Sequence, residues 1–82
     1  MNHEDVLYLE LGRRCADEGE SRPIRERSGL NRRSEFVAFA NGKFTVAALR
    51  AWEGKRRRPT GDKGIAYGRA LAECLEEQGL LR

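Results

Sequence analysis

The chain has 82 residues, 35% of them charged and 39% hydrophobic, with a formal net charge of +3. That allows one domain with a small core, and it excludes both an unfolded polyelectrolyte and a transmembrane helix, because no apolar run approaches the roughly 18 residues that a membrane span needs. The polar, acidic start Met1-Asn2-His3-Glu4-Asp5 lacks the basic head and apolar middle of a secretory signal, so the expected location is the cytoplasm.

Helical pieces punctuated by glycine and proline follow in chain order. The first spans residues 4–18: Leu7, Leu11 and Cys15 recur at four-residue steps, Val6, Tyr8 and Leu9 widen the stripe, and Gly19 supplies a C-terminal cap. Gly12 inside it costs about 1 kcal/mol relative to alanine, which predicts a close contact or a kink there. Ser21-Arg22-Pro23 starts a short second helix, with Ser21 as cap and proline in the first turn; Gly29 ends it. Asn31 is expected to cap a third piece that runs to Asn41 and carries Phe36, Val37, Phe39 and Ala40. Asn41-Gly42 breaks it, and Thr45 caps a fourth piece, 46–53, in which Leu49 and Trp52 lie three apart. After the turn Pro59-Thr60-Gly61-Asp62 a last helix runs to Gln78, with Tyr67, Leu71, Cys74 and Leu75 on one face.

No stretch alternates with period two, so the expected fold class is all-α: a compact bundle of about five short helices containing a helix-turn-helix. The single domain 1–82 divides into an N-terminal helix 4–18, a helix-turn-helix core 20–61 and a C-terminal helix 62–78. Helices this short are marginal alone and need shared burial, here of Leu11, Leu30, Phe36, Phe39, Leu49, Trp52, Leu71 and Leu75.

The charge layout carries the functional signal. Residues 1–20 have a balance of −4, residues 21–63 of +8 and residues 64–82 of −1. A basic block between acidic flanks favours a polyanionic partner. The densest part is Trp52-Glu53-Gly54-Lys55-Arg56-Arg57-Arg58-Pro59-Thr60-Gly61, four consecutive cations directly after a helix. Residues 31–41 and 45–53, joined by Asn41-Gly42-Lys43-Phe44, have the form of two helices around a tight glycine turn. In such a motif the second helix enters the major groove of DNA while the first lies across the backbone.

Glu20-Ser21-Arg22-Pro23-Ile24-Arg25-Glu26-Arg27-Ser28-Gly29-Leu30 resembles the first helix and Gly-Leu hinge of lambda-repressor/Cro-like (XRE-type) helix-turn-helix regulators. The Trp52–Gly61 segment is similar to the family's Trp-Glu, glycine, basic cluster and Pro-Ser/Thr-Gly ending, and Tyr67 to Leu75 to the helix that follows. The resemblance covers about residues 20–76, with three departures: a longer spacing from Gly29 to Trp52, Gly54 directly after Glu53, and an unusually apolar recognition helix.

The resemblance implies that Thr45, Val46, Ala47 and Arg50 face the groove. Of these only Arg50 can pair bidentately with guanine, and Val46 and Ala47 can pack on thymine methyls. Thr45, Arg32 and Arg33 are candidate phosphate donors, as are Lys43, Lys55, Arg56, Arg57 and Arg58. Leu49 and Trp52 are read as core, and Glu53 as a partner for the basic run.

The expected function is a DNA-binding transcriptional regulator, a repressor of phage or plasmid type on double-stranded DNA. It is expected to act as a homodimer touching through the first or last helix by way of Tyr8, Leu9, Leu80 and Leu81. The alternatives are a protein-binding module that inhibits a host factor, and an excisionase-like DNA-bending protein. No Gly-rich phosphate loop or Ser/His/Asp set points to an enzyme, a cofactor or a small-molecule ligand. Cys15, Cys74 and His3 cannot by themselves complete a tetrahedral metal site, so no metal is expected; the cysteines are read as reduced, buried, apolar residues.

Overall fold

The computed structural model describes residues 2–80 and folds them into five helices: α1 (His3–Glu18), α2 (Ser21–Arg27), α3 (Arg33–Phe39), α4 (Val46–Glu53) and α5 (Gly61–Glu77). Among the described residues there is no strand, and no helix is long and apolar enough to cross a membrane. The all-α expectation holds, in a body 30 × 29 × 24 Å across.

Local chemistry sets most of the helix ends. The Asn2 side-chain oxygen accepts the Asp5 amide at 2.9 Å and starts α1; Gly19, with φ 70°, stops it. Other ends lie where the sequence reading did not put them. Ser21 is not a cap but the first residue of α2, and it is buried. Asn31 does not cap α3, which starts two residues later; the Glu35 carboxylate holds the Arg32 amide at 2.8 Å and fixes the entry instead. The same helix ends at Phe39, because Asn41 and Gly42 take left-handed conformations with φ 58° and 68° and turn the chain sharply. α5 begins at Gly61, earlier than expected, and Thr60 flanks it without a side-chain cap bond.

The two long helices, α1 and α5, form the frame and cross at glycine. Gly12 lies against Gly68 and the Tyr67 ring, and a Cβ on Gly64 would come within 2.8 Å of both Leu9 Cδ1 and the Pro59 carbonyl carbon. A Cβ on Gly68 would run into the Tyr8 carbonyl. The backbones therefore meet at a distance that only glycine permits. The close contact expected at Gly12 is this crossing.

α2, α3 and α4 close over the frame around Tyr67, which is fully buried. Its ring packs edge-on to Phe36 (6.3 Å between centroids) and Phe44 (6.0 Å), and lies 4.6 Å from Trp52. Ile24, Leu49, Leu71, Cys15 and Cys74 complete the interior. Phe36, Leu49, Trp52 and Leu71 are buried as expected, whereas Leu11, Leu30, Phe39 and Leu75 pack half-exposed at its edge. Phe44, a turn residue, is core as well. Both cysteines are free and buried; burial, reinforced by the charge of Glu20, pushes the Cys15 thiol up to about 11, and burial raises Cys74 and the Tyr67 phenol too.

Candidate nucleic-acid interface

α4 is set by its cap and its two anchors. The Thr45 hydroxyl accepts the Ala48 amide at 3.0 Å, and Leu49 and Trp52, three residues apart, turn one face into the core. The opposite face opens to solvent: Thr45, Ala47 and Arg50 are exposed, and Val46, Ala48 and Ala51 are half-buried. Thr45 already uses its hydroxyl oxygen to hold the helix, so its first role is as a cap.

Below this face lies an ion cluster that fixes α4 to α2 and α3. Ser21, Ile24 and Arg25 form the buried face of α2, and an arginine thus stands on it. Arg25 uses four of its five N–H donors: Nε and Nη2 reach the two Glu53 oxygens at 2.7 and 3.3 Å, and Nη1 reaches the Leu30 and Asn31 carbonyls at 2.8 Å each. Arg33 Nε adds a third bond to Glu53 at 3.0 Å. The Arg25 and Glu53 side chains are 3% and 5% exposed, that of Arg33 34%. Glu53 is thus partnered by arginines from α2 and α3, not by the basic run after it, and Arg33 is tied down rather than free.

Around this cluster, Arg22, Arg25, Arg32, Arg33 and Arg50 line one shallow groove of about 380 Å³ together with Asn31, Ser34 and Val46. The fold thereby brings together Arg32, Arg33, Val46 and Arg50 of the sequence-derived candidates. Arg22, Asn31 and Ser34 were missed by the sequence reading, and so was the clamp Arg25. The signal for Arg25 was its place on the buried stripe of α2.

The second basic group is the loop after α4. Lys55 takes a left-handed conformation (φ 61°), and its amide and that of Arg56 return to the Trp52 and Ala51 carbonyls at 3.2 and 2.9 Å. Lys55, Arg56, Arg57 and Arg58 are all exposed, while Pro59 is buried and its carbonyl accepts from Arg13 Nε at 2.9 Å. Arg58 is paired with Asp17 at 3.2 Å. Lys43 stands apart from both groups, on a groove shared with Asp5, Asp62 and Arg69. Among the described residues Arg32, Lys43, Arg50, Lys55, Arg56 and Arg57 form no ion pair, whereas Arg33 and Arg58 do.

The residues named for a dimer contact fare unevenly. Leu9 is buried at the helix crossing and Tyr8 is half-buried beneath Arg69, so neither offers a free apolar surface; Leu80 is exposed, and Leu81 lies outside the described residues. Val6 and Leu7 are the exposed large apolar side chains of α1.

No protein-family model, curated protein or solved structure matches this chain.

Proposed function

We propose that the chain is a sequence-specific DNA-binding regulator in which α3 and α4 act as a helix-turn-helix, as its resemblance to lambda-repressor/Cro-like proteins implies. The observation that carries this reading is α4 itself. Its exposed face holds Ala47 and Arg50, and free cations flank it at both ends, Arg32 in the groove beside Val46 and Arg50, and Lys55, Arg56 and Arg57 beyond Glu53. An α-helix with its side chains is about 10–12 Å across, which fits the major groove of B-DNA, about 12 Å wide. With α4 lying in that groove, the cations flanking it would come near the phosphates that border it.

Arg50 is then the base reader, with Val46 and Ala47 against thymine methyls; Arg32 and the basic loop hold the backbone. The regulatory consequence is repression by occupancy of an operator, and a homodimer would read two half-sites one helical turn apart.

Selection of bound duplexes from a random pool, followed by a salt titration on the selected sequence, tests the reading. It expects a preferred sequence and a log–log salt slope of about −3 to −5, from four or five phosphate contacts. Weak binding with a flat slope on every duplex would refute it and favour the protein-binding module, for which the small side chains of α4 would be the contact face. A preferred site that is strongly bent on binding would favour the architectural role.

A further inference from the structure

The basic loop does not stand free of the rest of the fold. Asp17 Oδ2 accepts from Arg58 Nη2 at 3.2 Å, and Lys55 Nζ lies 3.9 Å from the position a Cβ on Gly19 would take. Ala16, Asp17 and the four residues Lys55–Arg58 line one recess of about 220 Å³. The last turn of α1 contains no base, and Asp17, Glu18 and Glu20 cluster at this end. The helix dipole adds the equivalent of about half a negative charge at the same place.

A carboxylate and a backbone phosphate offer a guanidinium the same thing, an anionic oxygen acceptor. We propose that the end of α1 is an internal competitor for the DNA backbone: Asp17 occupies Arg58, and the surrounding negative charge screens Lys55, until phosphates displace them. This inference rests on the DNA-binding reading and specifies how that site is regulated. It gives the acidic N-terminal helix a role beyond packing, namely setting how tightly the basic loop holds DNA.

The Asp17–Arg58 pair is exposed on both sides, 52% and 63%. Such pairs are worth up to about 1 kcal/mol, so removing the competitor tightens binding by up to about fivefold. The loop backbone stays in place without the pair, because Pro59 is buried and anchored to Arg13.

The experiment uses the full chain and the selected duplex, at low and high salt, with Asp17→Asn, Arg58→Ala, the double variant, and Glu10→Gln as a charge-matched control on an exposed position of α1 away from the recess. Circular dichroism checks each fold. Asp17→Asn is expected to tighten binding two- to fivefold at low salt, and the gain is expected to shrink at high salt, where the exposed pair it removes is already screened. Arg58→Ala alone changes affinity less than this, and in the double variant the gain disappears. Affinity unchanged or weakened by Asp17→Asn overturns the inference, as does an equal gain from Glu10→Gln, which would make net charge the cause. If the wild type itself binds no duplex in a salt-dependent way, the DNA-binding reading falls and this inference falls with it. That outcome is distinct from a wild type that binds and a variant that merely equals it.

Discussion

Glu53→Gln tests the ion cluster beneath α4. The substitution keeps size and shape but removes the charge that answers Arg25 and Arg33. Glu53 receives three N–H donors, at 2.7, 3.0 and 3.3 Å, and neither its side chain nor that of Arg25 has appreciable access to water. After the change, Arg25 keeps the Leu30 and Asn31 carbonyls but is left a buried cation without an anion. Removing one partner of a buried pair costs about 3–5 kcal/mol. A domain of this length has about 4–12 kcal/mol in total, so the variant is expected to lose a large share of its stability. Each kcal/mol lowers the melting temperature by about 4–8 °C at this size. The assay is urea unfolding followed by circular dichroism and by the fluorescence of Trp52, the single tryptophan, one residue from the substituted site. The pair Arg25→Met with Glu53→Leu should lose less than the sum of its single variants, because neither charge is then stranded. If Glu53→Gln unfolds within about 0.5 kcal/mol of the wild type, the range for ordinary surface changes, the cluster does not hold α2, α3 and α4 together as argued.

Gly68→Ala is expected to prevent α1 from seating on α5, since its methyl would meet the Tyr8 carbonyl; helical content at 25 °C that matches the wild type would refute this. Thr45→Ala should cost about 0.5–2 kcal/mol through loss of the α4 cap, read in the same unfolding assay, and Thr45→Ser should restore most of it. Stability should fall as pH rises from about 9 to 11. In that window the unfolded chain releases its thiol and phenol protons, while Cys15, held up to about 11, and Cys74 and Tyr67, also raised, keep theirs, so the unfolded state binds fewer protons; a flat urea midpoint between pH 8 and 10.5 would contradict the assignment. Arg50→Ala should weaken binding of the selected duplex by about 1–3 kcal/mol and relax the preference at one base pair, leaving non-specific binding nearly unchanged; an equal loss on all sequences would make Arg50 a backbone contact.

The helices were legible because their punctuation is local. Gly19, Thr45 and the Asn41-Gly42 turn act on the residues beside them, and a side chain such as Thr45 can be read as a cap from the sequence alone. The burial of Leu49 and Trp52 followed from their spacing. The partners of Glu53 were not legible, because a carboxylate next to four cations has an obvious neighbour, and only the fold shows that the helix turns it away from them toward Arg25 and Arg33. The same applies to Phe44, which sits in a turn by sequence but inside the aromatic cluster by geometry. Arg25 looked like one more base in a basic segment; its place on the buried stripe of α2 gains meaning only once the Leu30 and Asn31 carbonyls come round to meet it.

The glycine crossing of α1 and α5 also dictates an order of assembly. A nascent chain presents α1 first, but the surface it seats on, from Gly64 to Gly68, leaves the ribosome only after the whole basic segment has emerged. With translation at about 5–20 residues per second, α1 waits for seconds before the surface that covers its apolar stripe has been made. Native structure is therefore expected to arrive in one late step, and a synonymous change that slows translation just before codon 64 would lengthen the exposed interval without altering a single side chain.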